Sequence, residues 1–251
     1  MDDNFKLNFI APHSSITGFV ESIGMFHNQS ANEKEVVVLP DGRIDLFFWK
    51  PDAEPFQVLL IGLETFPEQR IIPPHTLAFV VSFKPLAVEY ILHMAIAEVL
   101  NSAKNLPDDF WNFGIADLDS FETFYQKITQ YITSLLPAQI DSRKVKLFNL
   151  IYASNGEMSV AQLSAGAGWS SREINRYFTR QLGLSLKAYC NILRFRASLN
   201  HIAQGKLFPQ LNFTDQTHFI KNIKKFAGVI PKELMKNSND RFLLLTTLKP
   251  K

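Results

Sequence analysis

Arg172, Asn175, Arg176 and Thr179 stand at i, i+3, i+4 and i+7. On a helix that spacing sets four side chains along one face. Arginine pairs bidentately with the edge of guanine and asparagine with that of adenine. Such a row has the chemistry to read the major groove of a duplex. Ile174 and Phe178 fall on the opposite face as anchors, and Arg180 adds another cation beside the row. The pattern then returns. Thr217, Lys221 and Lys224 face outward on a second stretch, Phe219, Ile223 and Phe226 face inward, and Gln216, His218 and Lys225 stand beside them.

Short helices joined by tight turns must position both rows. The sequence predicts helices over 144–153, 160–167, 172–182 and 186–203, another ending at Gly228, and a short last one entered at Pro231. Ser159 is a candidate N-cap for 160–167, Ser170 or Ser171 for 172–182, and Thr214 or Asp215 for the helix of Lys221. Gly183, Gly205 and Gly228 end their helices. Helix, glycine-containing turn and second helix make a helix-turn-helix. One amphipathic basic helix is an ordinary surface helix. Two in tandem with matching loops point to DNA.

Charge supports this. The net charge of +2 conceals a split: residues 1–140 hold 8 Lys and Arg against 18 Asp and Glu, a balance of −10, and residues 141–251 a balance of +12. The basic part suits a polyanion, or the two parts attract each other. At 251 residues the chain is long enough for two domains. No apolar run reaches the roughly 18 residues of a membrane span, and the first residues lack the pattern of a signal peptide. A single cysteine, Cys190, suits a reducing cytoplasm and a core position.

The front part has another texture. "KEVVVLP", "IDLFFWK", "FQVLLIGLE" and "TLAFVVSFK" are strand-like, rich in Val, Ile and Phe between Pro, Gly and Asp. The Pro-Asp-Gly of "LPDGRI" predicts a hairpin between 36–39 and 44–49. A helix is expected over 86–101, and another from a cap at Asp119 to a stop at Pro137, with Phe124, Ile128 and Ile132 in its apolar stripe. The fold class is therefore α+β: a β-rich N-terminal regulatory or dimerisation domain (1–140) ahead of an all-α domain (141–251). A fragment from about residue 140 onward is expected to fold by itself.

"LSAGAGWSSREINRYFTRQLGLSLKAY", "LRFRASL" and "NFTDQTHFIKNIKKFAGVIPKEL" resemble the double helix-turn-helix unit of the AraC-type family of bacterial transcription regulators, over residues 142–236. The resemblance implies a seven-helix unit whose two recognition helices enter successive major-groove segments. By it Arg172, Asn175 and Arg176 are base readers of the first motif, and Gln216, Thr217, His218 and Lys221 candidates in the second. The chain departs from the family pattern in three places. Asn212 stands where the family has Gly, Ile223 where it has Phe, and "GKLFPQL", with Pro209, leaves the first helix of the second motif about one turn. The front part resembles β-rich domains found ahead of some such units.

Arg43 and Asp45, beside the Pro-Asp-Gly turn, are candidates for contact with a small-molecule effector, or the solvated end of a hairpin. The scattered histidines lack metal-ligand spacing, and no nucleophile elbow, phosphate loop or paired carboxylate argues for an enzyme. No cofactor is implied. The expected activity is sequence-specific regulation of transcription on double-stranded DNA in the cytoplasm. RNA polymerase, an unidentified effector and a second copy of the chain are candidate partners, and no membrane is. The alternative is a protein-interaction adaptor whose degraded second motif no longer reads DNA. A metal-dependent β-domain enzyme ranks third.

Overall fold

A computed structural model describes residues 4–211 and 213–248. The fold is α+β, a β-rich N-terminal region followed by a helical C-terminal one. The strands are β1 (Phe5–Ile10), β2 (Val20–Asn28), β3 (Lys34–Val38), β4 (Ile44–Lys50), β5 (Gln57–Ile61), β6 (Glu68–Ile72), β7 (Thr76–Phe83) and β8 (Ala103–Leu106). Helix α1 (Ala87–Tyr90) precedes β8, and α2 (Phe121–Ser134) follows it. Then come α3 (Ser142–Ala153), α4 (Val160–Ala167), α5 (Ser171–Leu182), α6 (Leu186–Ala203), α7 (Gln216–Ala227), α8 (Pro231–Lys236) and α9 (Leu243–Leu248). Among the described residues no helix is long and apolar enough to cross a membrane.

The chain divides into two compact units. One holds Met1–Lys34, Arg43–Leu63 and Ile71–Ile140; the other holds Glu35–Gly42, Glu64–Arg70 and Asp141–Lys251. In the first, an antiparallel six-stranded sheet runs β1-β2-β7-β4-β5-β8. Its central strand β7 is almost wholly buried. Helix α2 lays an aromatic edge on it: Phe124 lies 4.9 Å from Phe79 and 5.1 Å from Phe48, centroid to centroid. Such edge-to-face contacts add about 0.5–1.5 kcal/mol each to the burial itself. Ser120, not Asp119, caps α2, because Ser120 takes the extended backbone and accepts from the Thr123 N–H.

Two expectations fail here. Strands β3 and β4 form no hairpin: β3 pairs with β6 in a separate two-stranded sheet, and β4 lies between β7 and β5. The Pro-Asp-Gly segment is where the chain passes from one unit to the other. Leu39 is buried among α6 and α7 residues, and Tyr189 donates its hydroxyl to the Gly42 carbonyl at 3.1 Å. The helix expected over 86–101 reduces to the single turn of α1 and a 3-10 turn at Ala97–Val99. His93 adopts a left-handed φ of 51°, and the chain folds back so that Asn101 N–H reaches the Leu63 carbonyl and Ala103 pairs with Ile61. A continuous helix of that length would run about 22 Å and carry β8 away from its partner strand.

The helical unit also draws on residues upstream of 140. Leu39, 3% exposed, belongs to the same apolar cluster as Phe195, Leu199, Phe219, Phe226 and Leu245. Val37 donates its N–H to the Arg241 carbonyl at 2.6 Å. Residues more than a hundred positions upstream therefore complete the helical unit.

Candidate nucleic-acid interface

The first motif is α4, a turn and α5. Ser159 caps α4 in a reciprocal box with Gln162. Gly168, left-handed at φ 62°, turns the chain, and the Ser164 hydroxyl donates to the Trp169 carbonyl at 2.7 Å. Ser170 caps α5 by accepting from the Glu173 N–H at 3.3 Å. The same hydroxyl donates to the Glu173 carboxylate and, with Arg143 and Arg176 nearby, holds its pKa below the usual value. Ile174, Tyr177, Phe178 and Leu182 are buried, and the Phe178 ring lies tilted against Phe148 at 5.7 Å and Tyr189 at 5.6 Å. With that face buried, Arg172, Arg176, Thr179 and Arg180 are exposed. The row from 172 to 179 rises about 10.5 Å, close to three base-pair steps.

Asn175 is placed differently. Its side-chain amide donates to the Ser171 carbonyl at 2.9 Å and accepts from the Leu186 N–H at 3.3 Å. Both ends are used in tying α5 to the start of α6.

The second candidate reading helix, α7, is capped by Asp215, which accepts from the His218 N–H at 2.8 Å. Phe219, Ile223, Phe226 and Ala227 face the core, whereas Thr217, Lys221, Lys224 and Lys225 are exposed. Gln216 donates to the Leu207 carbonyl at 3.0 Å. His218 accepts the Thr214 N–H on Nδ1 at 3.3 Å, and its ring lies edge-on to Phe213 at 5.6 Å. Gln216 and the Nδ1 of His218 are thus engaged by the preceding loop.

That loop replaces a helix. About one turn is expected between Gly205 and α7, yet no helical turn forms among the described residues from 206 to 215; Asn212 lies outside them. Pro209 lacks an N–H for such a turn. Leu207 and Phe213 pack partly on the core, with Phe213 edge-on to Phe219 at 5.2 Å, whereas Phe208 is 58% exposed.

Arg43 and Asp45 are cross-strand ties inside the sheet unit. Arg43 is 5% exposed and pairs with Glu21 at 3.1 Å, and Asp45 accepts from the Ser82 hydroxyl on β7. Cys190 is buried, which pushes its thiol up to about 12. Among the described residues no three His, Cys, Asp or Glu side chains gather as metal ligands do. Sequence reasoning missed the contribution of Leu39, which carries no local signal. It also passed over Lys187 and Asn191, whose spacing on α6 makes a helical stripe with Arg194.

No family model matches the chain. No curated protein matches it either. Among solved structures it is similar to ToxT of Vibrio cholerae. The apo form of a point variant from strain SCE256 is 12% identical over 94% of this chain and 98% of that one, with a TM-score of 0.42. ToxT from strain O395, bound to (E)-4-(8-methylnaphthalen-1-yl)but-3-enoic acid, is 14% identical over 97% and 100%, again at 0.42.

Proposed function

We propose that the helical unit binds double-stranded DNA, that α5 reads base edges in a major groove, and that the chain regulates transcription. One observation carries the reading. Helix α5 is capped at both ends and anchored by four buried side chains, while Arg172, Arg176, Thr179 and Arg180 stand exposed on one face. A rigid helix presenting forked donors is what direct readout needs. In this reading Arg172 and Arg176 are the base readers and Asn175 positions the helix. Lys221, Lys224 and Lys225 on α7 meet phosphates, with Thr217 turned toward bases beside them. The sheet unit regulates or dimerises the chain.

The test is selection of bound fragments from random duplex, followed by anisotropy with the enriched sequence. Enrichment of a defined element, with affinity falling steeply as salt rises, is expected. Recovery of unenriched sequence would sink the reading. A second reading rests on the missing turn between Gly205 and α7: the chain would be a protein-interaction adaptor. It predicts salt-insensitive, negligible duplex binding.

A further inference from the structure

Helix α6 runs from the end of the first motif to the start of the second. One of its stripes, Lys187, Asn191 and Arg194, lines a cavity of about 500 Å³. Gly156 and Glu157, from the turn between α3 and α4, and His218, from α7, line it too. Three elements of one unit thus converge on a single recess, in which Lys187, Arg194 and His218 stand beside the apolar Met158 and Val160.

The donors are aimed by contacts within the unit. Arg194 gives one Nη2 hydrogen to the Gly156 carbonyl at 3.0 Å, and its guanidinium lies 6.0 Å from the centre of the Phe213 ring. Its Nε–H is buried without a hydrogen-bond partner among the described residues. A buried unpaired donor is costly, more so on a charged group, which leaves this guanidinium short of an acceptor. Because His218 Nδ1 accepts the Thr214 N–H, its Nε2 carries the ring hydrogen and is a donor. Lys187 is exposed at the rim. Lys187 and Arg194 against Glu157 leave one positive charge.

We infer that this recess is a phosphate cradle, in which Lys187, Arg194 and His218 grip one tetrahedral oxyanion against the helix that joins the two motifs. It rests in part on the DNA reading above. Arginine and lysine donors suit phosphate oxygens. One net positive charge matches the single negative charge of a phosphodiester better than the near-double charge of a phosphomonoester. The backbone of a duplex strand, passing between the segments met by α5 and α7, is therefore the source the charge favours. A free phosphate is the other source of the same chemistry. Phosphate contacts of this kind fix register without reading sequence.

The test uses the full chain, with Lys187→Gln and Glu157→Gln, which leave the Arg194–Gly156 bond in place. Anisotropy is measured on the enriched duplex and on a scrambled one across a salt series. Lys187→Gln is expected to weaken both duplexes by the same severalfold factor and to lower the slope of log affinity against log salt by about 0.9. Glu157→Gln is expected to strengthen both. Unchanged affinity and slope in both variants, with unchanged melting, overturn the cradle as a DNA contact. If the parent chain binds no duplex, the DNA reading fails and inorganic phosphate becomes the probe. Saturable amide shifts at 187, 191 and 218 that vanish in Lys187→Gln then sustain a small-anion cradle, and their absence overturns it.

Discussion

Helices α5 and α7 are alike in themselves and unlike in what holds them. Each has 12 residues, a polar N-cap and a left-handed glycine at its end, Gly183 at φ 78° and Gly228 at φ 74°. Beneath α5 lies α4, and its core comes from neighbours in sequence: Phe148, Leu163 and Tyr189. Beneath α7 there is a loop. Its core is completed by Leu39 and by Phe242 and Leu245 near the chain's end. A motif without a local brace can keep its helix when distant chain fills the same apolar face. The helix then inherits the stability of that distant contact.

Removing residues 1–140 should have the largest effect. The fragment keeps Phe148 and Leu163 around α5, and Tyr189 without its bond to Gly42, but loses Leu39 and the Val37–Arg241 bond. Hydrogen exchange is expected to show α3–α5 amides still protected and α7–α9 amides exchanging fast. Equal protection in both halves would end the distinction.

Leu39→Ala in the full chain is the gentler version. A buried leucine cut to alanine costs roughly 2–5 kcal/mol, and the loss should appear first as local opening of α6–α9. A loss spread evenly to α3–α5 would mean that the unit opens as one.

Arg176→Ala should weaken the enriched duplex by about 1–3 kcal/mol and relax preference at one or two base pairs. Lys221→Ala should weaken enriched and scrambled duplexes alike. The selected element is accordingly expected to be lopsided, sharp under α5 and soft about one helical turn away. Two equally sharp half-elements would show that Leu39 and the loop hold α7 as firmly as a helix holds α5.

Asp215→Ala removes the cap of α7 and should cost about 1 kcal/mol, with duplex affinity falling as the first turn frays. The smallest effect is expected at Glu173. Its carboxyl is held below the ordinary value of 4.5 by the Ser170 hydrogen bond, then by Arg143 and Arg176. A depressed carboxylate stabilises the fold above its unfolded pKa and loses that contribution as pH falls through the folded one. A side-chain NMR titration should find its midpoint below 4.5, and Ser170→Ala should raise it. A midpoint unmoved by that change would remove the hydroxyl from the cap.

Much of the candidate interface was legible because its signals span a few residues. Ser159, Ser170 and Asp215 cap, Gly183 and Gly228 stop, and the stripes of Ile174 and Phe178 or Phe219 and Ile223 turn inward as their spacing requires. Asn175 shows the limit. Its type and face suit adenine, yet the carbonyl of Ser171 and the N–H of Leu186 take both ends of its amide.

What the amino-acid order determined by itself was thus the ends and amphipathic faces of α4, α5 and α7, the break at Pro209 and the basic character of the second half. Tertiary structure alone decided which strands pair and what completes each core. The Pro-Asp-Gly turn has hairpin chemistry, but the burial of Leu39 among α6 and α7 residues draws β3 out of the main sheet. Burial of apolar surface is non-directional. A leucine therefore carries no mark of the partner it will meet, whether four residues away or a hundred and fifty.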